Sequence, residues 1–149
     1  MNLLNGSGRV IEILLVEDNA DEAELTMEAL QEGKMRTRIH WVEDGEEAMQ
    51  FLRRKGRHVN APRPDLVLLD LRLPKMSGQE VLAEIKQNPL WKRIPVVIMT
   101  SSEDEKDILG AYDRHANCYV TKPVDLDKFM AAVRSIEDFW LALVRLPAA

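Results

Sequence analysis

Glu17, Asp18, Asp70, Thr100 and Lys122 are the residues whose types and spacing point to chemistry, because each follows directly on a strand-like run. Glu17-Asp18 follows Val10 to Val16, Asp70 follows Leu66-Val67-Leu68-Leu69, Thr100 follows Pro95 to Met99, and Lys122 follows Asn117 to Thr121. Three neighbouring carboxylates repel unless a cation sits among them, and hard oxygen donors from few protein groups suit Mg²⁺. Lys122 supplies a point charge for a phosphate oxygen, while Thr100 and the backbone N–H of Ser101 supply hydrogen bonds for another. With Asp70 as the nucleophile, the set describes a phosphoryl-accepting site in which metal and lysine neutralise the incoming charge. Each residue taken singly has a simpler use, as a helix cap, a turn former or a surface lysine. Four strand ends carrying the complementary types together favour the joint reading.

These residues meet only if the strands are parallel neighbours. Four apolar residues, Leu66 to Leu69, are too few for a buried helix and read as a strand covered on both faces. Val10 to Val16 is another such strand, polar only at Glu12, and Thr37 to Val42, Pro95 to Met99 and Asn117 to Thr121 supply three more. Helices alternate with them. Ala23, Met27 and Leu30 mark the first, with Asp21 and Glu22 in its first turn and Gly33 as its stop. Asp44 with Glu47 reads as a capping box for the second, whose buried face is Ala48, Phe51 and Leu52 and which ends by Gly56. Arg57 to Pro64 reads as a polar loop, and Arg53-Arg54-Lys55 as a solvated helix end. Ser77 with Glu80 caps a third helix over Val81, Leu82 and Ile85, closed by Asn88-Pro89. Ser102 with Glu105 caps a fourth, thinly apolar at Ile108, Ala111 and Tyr112. Phe129, Val133, Ile136 and Trp140 mark the fifth. Five strand-then-helix units predict an α/β fold: a five-stranded parallel sheet, order 2-1-3-4-5, doubly wound with five helices. The functional residues then share the sheet's C-terminal edge.

Composition narrows the classes. With 149 residues and 46% hydrophobic content the chain suits one domain, and a net charge of -5 argues against nucleic-acid binding. One cysteine excludes an internal disulfide, and Cys118 reads as a small buried hydrophobe. No apolar run approaches the ~18 residues of a membrane span, and Met1 to Arg9 lacks a signal peptide's apolar core. The expectation is a cytoplasmic protein with no membrane partner.

Val16-Glu17-Asp18-Asn19, Asp70-Leu71-Arg72-Leu73-Pro74-Lys75-Met76-Ser77-Gly78, Met99-Thr100-Ser101-Ser102 and Tyr119-Val120-Thr121-Lys122-Pro123 together resemble the response-regulator receiver domain of two-component signalling. The resemblance spans about residues 10 to 137, leaving 1–9 as a flexible segment and 138–149 as a helix extension and tail. It implies phosphotransfer from the histidine of a sensor kinase to Asp70, with Mg²⁺ on Asp18, Asp70 and the Arg72 carbonyl and Glu17 supporting through water. It further implies Lys122 and Ser101 on the phosphate, Thr100 and Tyr119 as the switch, and a cis Lys122-Pro123 bond. Such a domain catalyses only its own phosphorylation and dephosphorylation. Val124 stands where many members have Phe, and Arg72 and Ser102 flank the phosphate at positions the family varies.

The long Arg57 to Pro64 loop, Asn117-Cys118-Tyr119 and the apolar tail resemble single-domain receivers paired with bacterial phytochrome histidine kinases. No output domain is expected, so output falls to altered protein binding. Phe139, Leu143 and Leu146 exceed what one buried helix face needs, which predicts a homodimer through this tail. Two other functions fit parts of the pattern. A Mg²⁺-dependent phosphohydrolase would use the same nucleophile but wants an acid two residues on, where Arg72 stands. A phosphorylation-independent interaction module would leave the acid, threonine and lysine set unused.

Overall fold

Five parallel strands, β1 (Ile11–Val16), β2 (Thr37–Val42), β3 (Leu66–Asp70), β4 (Val96–Thr100) and β5 (Cys118–Thr121), form one sheet in the order β2-β1-β3-β4-β5. The computed structural model describes residues 10–32, 36–100 and 118–135. Among these are four α-helices, α1 (Ala20–Gln31), α2 (Gly45–Arg53), α3 (Gly78–Gln87) and α4 (Leu126–Ser135), and one 3-10 turn at Gly56–His58. The helix expected after Ser102 lies outside the described residues, as do Gly33, Ser101, Ile136, Trp140, Phe139, Leu143 and Leu146. The doubly wound class and the strand order agree with the expectation.

Side chains alternate across each strand, so one run of residues feeds two cores. Ile13, Leu15, Leu66, Leu68, Val97 and Met99 pack with Ala23 and Leu30 of α1 and Phe129 and Val133 of α4. Leu14, Val16, Val67, Leu69, Val96 and Ile98 pack on the other face with Ala48 and Phe51 of α2 and Val81, Leu82 and Ile85 of α3. Every residue of β3 and β4 is buried, as a central parallel strand covered by helices requires. Burying one such Leu or Ile contributes about 1.5–3 kcal/mol, and the sum holds the strand ends in register. Glu12, the polar residue of β1, pairs with Arg38 Nη1 (2.9 Å) and His40 Nε2 (2.8 Å) on β2.

The helix boundaries follow the sequence with one correction. Ser77 and Glu80 form the full reciprocal box, 3.1 and 3.2 Å. Asp44 caps α2 by accepting from Glu47 N–H at 2.8 Å, but the Glu47 carboxylate turns to Arg57 and to His58 Nε2 (3.2 Å). The expected box is therefore half formed, because a guanidinium is a stronger partner for a carboxylate than one neutral N–H. The second helix ends by Gly56, as expected: Arg54 closes it in the left-handed conformation (φ 57°), its N–H bonded to Gln50 and Phe51 carbonyls. Gly56 then opens the 3-10 turn, so the start of the 57–64 stretch is ordered as a turn.

Candidate functional site

The strand register brings the C-terminal ends of β1, β3, β4 and β5 side by side: Val16 pairs Leu69, Asp70 pairs Met99 and Thr100 pairs Thr121. The acids, Thr100 and Lys122 therefore share one edge of the sheet, where α/β folds place their ligands.

Asp70 is buried, its Oδ1 accepting from the Arg72 N–H at 3.0 Å and its Oδ2 lying 2.7 Å from Lys122 Nζ. The carboxylate is thus oriented by its own loop and by a cation from another strand. Gly78 makes that loop possible. A Cβ there would stand 2.3 Å from the Asp70 carbonyl oxygen and 2.5 Å from Leu71 Cα, so only glycine lets α3 start this close. Its N–H donates to Leu71 O at 3.1 Å.

Lys122 reaches three acids at once: Asp70, Glu17 Oε1 (2.8 Å) and Glu22 Oε2 (3.0 Å). Burial alone would lower its pKa, and the hydrogen bonds to Asp70, Glu17 and Glu22 together outweigh burial and raise it, so the ammonium is kept. Its backbone N–H donates to Thr100 O at 2.7 Å, and the Lys122-Pro123 bond is cis, as expected.

Glu17 is buried, and burial pushes its carboxyl up to about 7. Lys122 opposes the rise, the Asp70 charge adds to it, and the Asn19 N–H on Oε2 (3.2 Å) opposes it. Oε1 is buried and lies 2.8 Å from Lys122 Nζ, its contact with the ammonium. Carboxylate oxygens of Glu17, the exposed Asp18 and Asp70 all lie within 4.8 Å of one another. Three hard oxygen donors grouped this closely, two of them buried, fit a small divalent cation.

Thr100 is buried at the end of β4. Tyr119 faces outward on β5, 44% exposed, with Cys118 and Val120 buried on either side. Cys118 is a buried thiol 3.5 Å from Ala132 O, in keeping with a packing role. Ser101 and the three tail residues are outside the described residues, so the structure does not bring them to the site or away from it.

Two residues escaped the sequence reading. Glu22 looks like ordinary first-turn charge on α1, yet it is the third acid on Lys122. Trp41 donates its indole N–H to Glu17 O at 2.7 Å, and the Glu17 N–H donates to Val42 O at 3.1 Å. The available signal was position: Trp41 stands opposite Leu15 in the edge pairing, one step from the acidic turn.

The family described as the response regulator receiver domain matches residues 13–134. The chain belongs to the response-regulator receiver family. This receiver is 50% identical over 137 residues to the response regulator Rcp1 of Synechocystis sp., covering 92% of this chain and 93% of the relative. It is 41% identical over 148 residues to the probable methanogenesis regulatory protein FilR2 of Methanothrix harundinacea, covering 95% and 94%. Among solved structures it resembles the phosphorylated cyanobacterial phytochrome response regulator RcpA, at 49% identity and TM-score 0.76 over 93% of this chain and 99% of that one. The Mn²⁺-bound form of Rcp1 gives 48% identity and TM-score 0.74 over the same shares. The bacteriophytochrome response regulator AtBRR gives 40% and 0.78, covering 85% and 92%.

Proposed function

We propose that this receiver accepts a phosphoryl group on Asp70 from the phosphohistidine of a sensor kinase, and that the kinase is a bacterial phytochrome. The observation that carries the reading is the Asp70 carboxylate itself, buried at a strand end and held between the Arg72 N–H and Lys122. A carboxylate fixed in that way is oriented for in-line attack, and Lys122 stands ready to pair with the charge that arrives. The donor's N–P bond breaks as an O–P bond to Asp70 forms, and the imidazole leaves with a proton taken from solvent. Asp18, Asp70 and the Arg72 carbonyl would hold Mg²⁺, with Glu17 supporting through water. When bound, the ion neutralises the acids and screens the anionic donor.

Support for the phytochrome pairing is the similarity to RcpA and AtBRR, both described as phytochrome regulators. A cavity of about 300 Å³ beside Lys122, lined by Glu22, Leu25, Thr26, Pro123 and Val124, offers the kinase an apolar seat, with Leu25 57% exposed. The chain acts as a phosphoacceptor and turns over no other substrate. After phosphorylation, Thr100 and Ser101 engage the phosphate and the exposed Tyr119 moves inward, shifting an existing equilibrium. Dimerisation through Phe139, Leu143 and Leu146 rests on their apolar spacing and is tested by sedimentation of a Phe139→Ala, Leu143→Ala variant. Transfer of label from a ³²P-phosphorylated phytochrome kinase tests the main reading. Label should move to the wild type within minutes and not to Asp70→Asn; retention on the kinase under conditions where acetyl phosphate still modifies Asp70 would remove the phytochrome partner.

A further inference from the structure

At the end of the sheet away from Asp70, a second cavity of about 270 Å³ is lined by Leu52, Arg54, Arg63, Pro64, Leu90 and Trp91. Arg63-Pro64 precede β3 and Leu90-Trp91 precede β4, so the cavity is roughly 13 Å or more along the strands from the acidic site. Its apolar part comes from the end of α2 and the turn after α3. Leu90 is 75% exposed, the most exposed large hydrophobic residue among those described, and its N–H is fixed by Asn88 Oδ1 at 2.8 Å. The polar part is cationic. Neither Arg54 nor Arg63 makes a side-chain ion pair or hydrogen bond among the described residues, on a chain of net charge -5 rich in acids. Arg57, by contrast, is engaged with Glu47.

Arg54 also occupies a left-handed position (φ 57°), where glycine is the unstrained choice for ending a helix. The volume falls just below the ~300–1,000 Å³ of small-molecule pockets and suits one large side chain. Two unpaired guanidiniums beside it match carboxylates, whose planar fork they pair in register. We propose that this groove docks an acidic segment of a partner protein, with an aromatic or large aliphatic side chain in the cavity and flanking Asp or Glu residues on Arg54 and Arg63. Arginine is enriched at protein interfaces, and the exposed Leu90 lines the same cavity. A cavity sized for one side chain, with only two arginines rather than an extended basic stripe, favours a peptide over nucleic acid or anionic lipid as the occupant.

The experiment is a titration of the ¹⁵N-labelled protein with a short peptide carrying Asp-Glu-Trp-Glu-Asp, followed by amide chemical shifts. The expected result is saturable shifts at Leu52, Arg54, Leu90 and Trp91. Binding should weaken at least 10-fold when the peptide's acids become amides, and at least 10-fold in an Arg54→Gly, Arg63→Gln double variant. Glycine suits the left-handed cap, so that variant retains its fold. Absence of shifts at millimolar peptide, or equal binding by the variant, overturns the proposal. So does a duplex oligonucleotide or an anionic phosphatidylserine vesicle that shifts the same amides at lower concentration than the peptide.

Discussion

The indole N–H of Trp41 donates to the backbone carbonyl of Glu17 at 2.7 Å, tying the edge strand β2 to the acidic turn that follows β1. With Glu17 N–H bonded to Val42 O at 3.1 Å, the turn is gripped from β2 at two points. Trp41→Phe keeps a ring but removes the donor. Loss of one such bond should lower stability by about 0.5–1.5 kcal/mol and weaken divalent-cation binding by about 2- to 10-fold. Denaturant unfolding and Mg²⁺ titration read the two effects; unchanged metal affinity would confine Trp41 to packing.

Glu17 carries the pH dependence of the site. Because its folded pKa of about 7 exceeds its ordinary 4.5, the folded protein holds this proton more tightly than the unfolded chain does. Its stabilising contribution is full below about pH 4.5 and is lost as pH rises through about 7. Metal binding has the opposite slope, since a cation competes with the proton. Calorimetry in two buffers of different ionisation enthalpy should show weaker Mg²⁺ binding at pH 6 than at pH 8, with proton release. Glu17→Gln should remove most of that dependence.

Gly78 is a steric requirement of the loop that follows Asp70. In Gly78→Ala the new Cβ would stand 2.3 Å from the Asp70 carbonyl oxygen, a backbone atom that moves only with the loop. A stability loss of about 1–3 kcal/mol is expected from overpacking of this kind. Phosphorylation by acetyl phosphate should slow alongside it. A variant that phosphorylates at the wild-type rate would show that the loop has slack.

Legibility differed by residue for physical reasons. Asp70, Thr100 and Lys122 could be placed because a parallel sheet puts every strand's C-terminal end on one edge, so chain position alone assigns them to it. The Ser77-Glu80 box is local and was read whole. The partners of Glu47, Glu22 and Trp41 lie 10 or more residues away and depend on how elements pack, which spacing does not encode. Arg54 in the left-handed region goes against the glycine preference from which a helix stop is read.

The central claim is that Asp70 is the phosphoryl acceptor. Acetyl phosphate with Mg²⁺ should add one phosphoryl group by intact mass, and borohydride reduction followed by peptide mapping should place homoserine at position 70. Excess chelator should stop the gain, and Asp70→Asn should show none. Homoserine at Asp18 or elsewhere, or a full mass gain by Asp70→Asn, would contradict the account.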